Sequence, residues 1–346
     1  MRIAVDGMGG DNAPHAVVEG AIYAAKEYPV DILLLGPKEI LEKELKKHKQ
    51  PFSKKIEIFH APSVVDMHDS PTISIRKKKD SSINIGLELL KNKEVDAFIS
   101  AGNTGAVVCS AIFNLGALPG IERPGIAIVI PTLVGFTLLI DVGANIDPKP
   151  IHLLHYALMG NTYSKYILGK QNPAIGLLSV GEEETKGTDF IKETHKLLNT
   201  TNFNFIGNVE GRDIFTGKAD VIVCDGFVGN VVLKVSEGLA DTIATLLKRE
   251  LRKSIITKTG ALLSQGAFRA LAKETDYSEY GGAPLLGVDG ACFISHGSSC
   301  SKAMKNAIRI AADFTKHRIN EKIISEAKEC QGVIDSEKAT LNNIGE

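Results

Sequence analysis

Nine short apolar runs recur along the chain, and they are continuous rather than alternating. They read R-I-A-V-D (2–6), D-I-L-L-L-G (31–36), I-E-I-F-H-A (56–61), A-F-I-S-A-G (97–102), G-I-A-I-V-I-P (125–131), T-L-L-I-D-V-G (137–143), A-I-G-L-L-S-V-G (174–181), F-N-F-I-G-N (203–208) and V-I-V-C-D-G (221–226). A strand has this pattern when both of its faces are buried. Helix-like segments separate most of the runs, so the pattern predicts a mostly parallel sheet covered on both sides, a three-layer α/β/α unit. Only a few residues, around Leu133 to Gly135, separate the fifth and sixth runs. That spacing suits a hairpin, so an antiparallel element and a mixed sheet are expected.

In such sheets ligands bind beyond the carboxyl ends of the strands. The loops there are rich in Gly, Asn and Asp: 7–12, 101–106, 141–145, 179–187, 208–213 and 224–230. Each alone reads as a tight turn or helix cap; together they point to one shared site. A different segment, 236–256, places Leu239, Ile243, Leu246, Leu247, Leu251 and Ile255 on one helical face. A turn near Thr257 to Gly260 and a second helix through 275 complete a helical hairpin, with Leu262, Leu263 and Phe268 near its tip. Exposed, that tip would need a subunit or a membrane surface against it. The expected organisation is a two-lobed unit over 1–335, the hairpin as an excursion over 236–275, and a tail over 336–346.

Composition narrows the partners. The 346 residues carry Lys+Arg 40 against Asp+Glu 41, a formal net charge of -1. That balance argues against bulk nucleic-acid binding. No run reaches the length of a membrane span, and the N-terminus enters a strand directly, so a cytoplasmic protein is expected. Five scattered cysteines without a C-x-x-C pair predict neither structural disulfides nor a zinc site.

Several motifs are missing. There is no Walker loop and no G-x-S-x-G elbow, and Asn12 stands where a dinucleotide fingerprint needs its third glycine. No H-E-x-x-H or comparable cluster argues for a metal. What remains are strand-to-helix turns suited to anions. In S-A-G-N-T-G-A, Gly102, Asn103, Thr104 and Gly105 form such a turn, with a helix from about Ala106. C-D-G-F-V-G-N has the same plan, with Asp225 at the strand end and Asn230 beyond. In the opening turn Gly9 and Gly10 precede Asp11 and Asn12, either of which can cap a helix that holds Pro14 and His15 in its first turn. Lys186, Arg212, Arg123 and His296 are the cationic side chains near these loops.

The blocks D-G-M-G-G-D-N-A-P, S-A-G-N-T-G-A, D-V-G-A-N, L-L-S-V-G-E-E, G-N-V-E-G-R-D, C-D-G-F-V-G-N-V-V-L-K, D-Y-S-E-Y-G-G-A-P-L-L-G-V and S-H-G-S-S run in order from residue 3 to about residue 301. In that combination the chain resembles the bacterial phosphate acyltransferases of phospholipid synthesis. Gly7 and Gly125 stand where that family commonly has Ala.

The resemblance implies transfer of a long fatty acyl group from the phosphopantetheine arm of acyl-carrier protein to inorganic phosphate. The acyl phosphate would then serve a membrane glycerol-3-phosphate acyltransferase. It also implies the two-lobed fold shared with phosphotransacetylase and isopropylmalate dehydrogenase, a homodimer, no metal or nucleotide cofactor, and a place at the inner face of the plasma membrane. Phosphate is already a nucleophile, so positioning and stabilisation of the carbonyl oxygen should carry the catalysis. On this reading Asn103, Thr104 and Gly105 cradle phosphate, Lys186 balances its charge, and Asp225 orients phosphate or pantetheine. Asn145, Arg212, Asn230 and His296 are further binding candidates, and His15 is a candidate general base. An acetyl-CoA:phosphate acetyltransferase, a metal- and NAD-dependent dehydrogenase of the same fold, and a non-catalytic membrane scaffold are the alternatives.

Overall fold

The computed structural model describes residues 1–48, 55–274 and 281–330. Within them the strands are β1 (Arg2–Asp6), β2 (Asp31–Gly36), β3 (Ile56–His60), β4 (Ala97–Ser100), β5 (Gly125–Thr132), β6 (Gly135–Ile140), β7 (Ile175–Leu178), β8 (Phe205–Val209), β9 (Val221–Val223), β10 (Ala283–Leu286) and β11 (Cys292–Ile294). They form one sheet in the order β3-β2-β1-β4-β11-β10-β5-β6-β9-β7-β8. The helices are α1 (His15–Glu27), α2 (Lys38–Lys47), α3 (Pro71–Lys77), α4 (Ser82–Lys91), α5 (Thr104–Leu115), α6 (Pro150–Tyr166), α7 (Asp189–Asn199), α8 (Gly226–Leu251), α9 (Ile255–Leu263), α10 (Gln265–Glu274) and α11 (Ser301–Lys316), with a short 3-10 turn at Gly211–Phe215 and a further helical stretch over 319–330.

The continuity of the apolar runs has its cause in the core. Ile3 and Val5 of β1 and Ala97 and Ile99 of β4 pack into one buried cluster, with α1, α6 and α11. Ala4 and Phe98, one register position away, pack into a second cluster with α4 and α5. Alternate side chains point to opposite faces, and both faces are covered. Two strands escaped the sequence reading. β10 contains Pro284, and β11 has only three residues. Pro284 is tolerated because β10 pairs with β11 through its first half and with β5 through its second.

Strand direction divides the sheet into two lobes. β3, β2, β1, β4 and β11 are mutually parallel, and so are β6, β9, β7 and β8. Three antiparallel pairings between them, β11–β10, β10–β5 and β5–β6, reverse the direction of the second set. In a flat sheet the two sets of carboxyl ends would then lie at opposite edges. Sheet twist, roughly 20–25° per strand, gives about 100–125° over the five steps from β4 to β9. That rotation offsets more than half of the reversal, and one helix spans the two rims, starting after Asp225 beside β9 and carrying Glu237 to within 3.7 Å of His296 beside β11.

The helical excursion differs from expectation. α8 runs unbroken from the second-lobe rim to Leu251, and the chain turns at Arg252 to Ser254 rather than at Thr257 to Gly260. Ser254 accepts a hydrogen bond from the Thr257 amide, and Thr257 Oγ1 accepts one from the Ser254 amide, so this capping box starts α9 where Gly260 had suggested a break. Val231, Val235, Leu239, Ile243, Leu246 and Leu247 form an exposed apolar stripe on α8, and Ile255, Ile256, Leu262 and Leu263 are exposed on α9. Phe268 is half-buried rather than exposed. No described helix is long and apolar enough to cross a membrane. Residues 49–54, 275–280 and 331–346 of the expected organisation, the whole of the expected tail among them, lie outside the described residues.

Candidate active site

The first wall of the cleft gathers four segments around β1 and β4. A Cβ on Gly9 would stand 2.6 Å from the Gly102 amide nitrogen, so the two turns touch through backbone alone. Gly10, at φ +96°, faces the Gly297 carbonyl, and the Asp11 amide donates to that carbonyl at 2.7 Å. Asn12 spends its side-chain amide on the carbonyls of Ser298 and Ser299. Neither Asp11 nor Asn12 therefore caps α1 through its side chain; Pro14 occupies the cap position. Beneath the turns Asp6 is fully buried, accepting from Ser100 Oγ at 2.7 Å and the Met8 amide at 3.1 Å. Burial pushes its carboxyl above the usual range, although the hydrogen bonds from Ser82, Ser100 and two backbone amides oppose the shift.

Asn103 is spent. Its side-chain oxygen caps α5 by accepting from the Ala106 amide, and its nitrogen donates to the carbonyls of Asp66, Met67 and Asp69. It shapes the turn and has no donor left for an oxyanion, which corrects its expected catalytic role. The amides of Thr104 and Gly105, in the first turn of α5, have no partner among the described residues. They are donors at the positive end of a helix dipole.

The second wall forms around β6, β7 and β9. Asp141 is buried and accepts from the amides of Ile126, Gly143, Ala144 and Asn145 at 2.7–3.1 Å. Asn145, expected to bind substrate, donates both side-chain hydrogens inward, to Pro124 O and Tyr156 Oη. Its carbonyl accepts from Gly226, tying this loop to the start of α8. Asp225 caps α8 through the Val228 amide at 2.8 Å, and Asn230 lies against Gly143. Arg212 is exposed and paired with Glu210 at 3.0 Å. In the 179–187 loop, Glu182 pairs with Lys218 at 2.9 Å and Asn208 donates to the Glu183 carbonyl. Lys186 is exposed, and its ammonium has no partner among the described residues.

α8 joins the walls. Its cap belongs to the second, and Glu237, twelve residues on, lies 3.7 Å from His296 of the first. At 1.5 Å per residue those contacts are about 18 Å apart along the helix. The six loops thus form two clusters joined by α8 rather than one ring. His15 belongs to neither. Its Nδ1 meets Glu44 at 2.8 Å and its ring stacks on His48, toward α2. That placement removes the basis for reading it as the general base. Sequence reasoning missed Asp6 and Asp141, whose signal was an aspartate ending each apolar run just before a glycine-containing turn.

The family model described as "Fatty acid synthesis protein" matches residues 1–322. A phosphate acyltransferase from Geotalea daltonii is 51% identical over 329 residues, covering 95% of each chain. One from Pelobacter propionicus is 49% identical over the full length of both. The chain belongs to the phosphate acyltransferase family. It is an acyltransferase enzyme. Among solved structures, a phosphotransacetylase from Streptococcus pyogenes covers 91% of this chain and 94% of its own at a TM-score of 0.63 and 18% identity. A branched-chain phosphotransacylase from Enterococcus faecalis aligns at a TM-score of 0.53 and 14% identity, over 90% and 98%. At those identities the likeness shows the fold, and it agrees with the expected two-lobed α/β/α architecture.

Proposed function

We propose that the enzyme transfers a long-chain fatty acyl group from the thioester of acyl-carrier protein to inorganic phosphate, releasing acyl phosphate for phosphatidic acid synthesis. The supporting observation is that each wall keeps an uncommitted group suited to an anion, while the asparagines beside them are committed to internal hydrogen bonds. The Thr104 and Gly105 amides stand on one wall, and the Lys186 ammonium stands on the other. A doubly charged oxyanion suits both. A phosphate oxygen attacks the thioester carbon, the tetrahedral intermediate collapses, and the pantetheine thiolate leaves as the C–S bond breaks. Asp6, Asn103, Asp141 and Asn145 act here as positioning residues that hold the two walls.

The exposed stripe of α8 supports contact with a second copy of the chain. The apolar α9 surface supports contact with a membrane, where an acyltransferase that consumes acyl phosphate would meet its substrate. The deciding experiment incubates the protein with long-chain acyl-carrier protein and phosphate and looks for acyl phosphate by mass spectrometry. Acetyl-CoA in place of the carrier is the comparison. Acetyl phosphate without long-chain product would favour the acetyltransferase alternative; no product from either would end the proposal.

A further inference from the structure

Where the start of α1 meets the end of α2, three metal-ligating side chains from two helices converge. Glu44 lies in the last turn of α2, and His48 caps that helix four residues later. Positions i and i+4 share one helical face, the spacing by which helices commonly present two ligands to one ion. His15, the first residue of α1, faces them across the helix pair. One ligand atom from each of the three lies within 4.8 Å of the others.

The details go beyond proximity. Glu44 is buried, yet its carboxyl is held below the usual range, chiefly by Lys47 and then by His15, against the opposing effect of burial. Its two oxygens are divided: Oε2 meets Lys47 at 2.5 Å, and Oε1 meets His15 at 2.8 Å. His48 Nε2 is buried and has no hydrogen-bond partner among the described residues. A buried ring nitrogen without a partner is costly, and a coordinated ion would satisfy it. The His15 side chain is 66% exposed, so one side of the cluster opens to water.

We propose that His15, Glu44 and His48 form a binding site for a divalent first-row transition cation, with zinc the ion its donors fit best. Two imidazoles and one carboxylate at about 2.0–2.2 Å, with water as the fourth ligand, complete a tetrahedron. Ligand atoms in that geometry lie about 3.3 Å apart, so as the ion enters the His15–Glu44 contact of 2.8 Å opens by about half an ångström, and the widest pair, within 4.8 Å, closes by up to about 1.5 Å. The ion takes no part in acyl transfer. It pins the start of α1, and with it the glycine turn of the first wall, to the end of α2.

The test uses untagged, metal-free full-length protein, titrated with zinc by calorimetry and with cobalt by visible absorption. Expected are one ion per chain and the intense visible bands of four-coordinate cobalt. His15→Ala and His48→Gln should each weaken zinc binding by roughly tenfold or more, since losing even an outer-shell partner costs 10–100-fold. Lys47→Met removes the competing cation and should tighten binding. Two results would overturn the proposal: no stoichiometric binding by wild type, or stoichiometric binding that survives both histidine substitutions and so lies elsewhere, for instance at the exposed Cys300. Acyl phosphate is not measured, so the outcome is independent of the proposed reaction.

Discussion

Replacing Gly229 by Ala sets the strongest local constraint against a general trend. In an exposed helix Gly→Ala stabilises by about 1 kcal/mol. At Gly229 the added Cβ would fall 1.9 Å from the Asp141 carbonyl oxygen and 2.9 Å from Cys224 Sγ. The oxygen contact is about 1.5 Å short of ordinary packing, and because it is backbone no rotamer change relieves it. The first turn of α8 must withdraw from the 141–145 loop, loosening the Gly226–Asn145 hydrogen bond of 2.8 Å. Overpacking costs about 1–3 kcal/mol and the hydrogen bond about 1 more. A net loss of about 3 kcal/mol corresponds to a fall of about 4 °C in Tm for a chain this long. Activity should drop further, since a displacement near 1 Å at a reacting centre can cost about 100-fold. Gly238→Ala is the control: it lies on the same helix, and a Cβ there meets nothing within 4 Å. Urea unfolding and acyl-phosphate formation are measured on both. If the two variants are equally stable, the close packing of α8 on the second wall is refuted.

Lys186→Ala should raise KM for phosphate or lower kcat by tenfold or more, with unfolding unchanged because the side chain is exposed; a wild-type profile removes Lys186 from the site. His155 is buried, which lowers its pKa to about 4 from 6.5. The unfolded chain binds the extra proton between those values, so the stability tied to the neutral ring is complete above about pH 6.5 and is lost as pH falls toward 4. At most about 3 kcal/mol is involved, and His155→Gln should flatten that part of the stability profile. Polar replacement of Leu262 and Leu263 should abolish sedimentation with anionic liposomes, and unchanged sedimentation would remove the membrane role of the tip. Leu239→Asp with Ile243→Asp should shift a dimer toward monomer in analytical ultracentrifugation; an unaltered distribution places the subunit contact elsewhere.

The fold was largely legible because burial on both faces of a sheet leaves short, continuous apolar runs, and their length and the turn residues that bound them separate them from buried helix. R-I-A-V-D and A-F-I-S display it in full. The pattern fails where strands shrink, as in Cys292–Ile294, or carry a proline, as in Ala283–Leu286. At the site, loop composition located the turns, but residue type could not tell a donor aimed into the cleft from one turned inward. Asn103, Asn145 and Lys186 all looked available; hydrogen bonds commit the two asparagines, and the lysine alone is left. The His15–Glu44–His48 cluster left no signal, because its members lie 29 to 33 positions apart except for the Glu44–His48 pair.

The bridging role of α8 has a mechanical consequence. One rigid rod is anchored by its first turn in the second wall, braced by Glu237 against the first, and ends in an uncovered apolar surface. A load applied at the far end, by a sister subunit or a lipid surface, acts through the brace as a lever on the gap between the walls. Catalytic output would then vary with where the molecule is docked, without any effector entering the cleft.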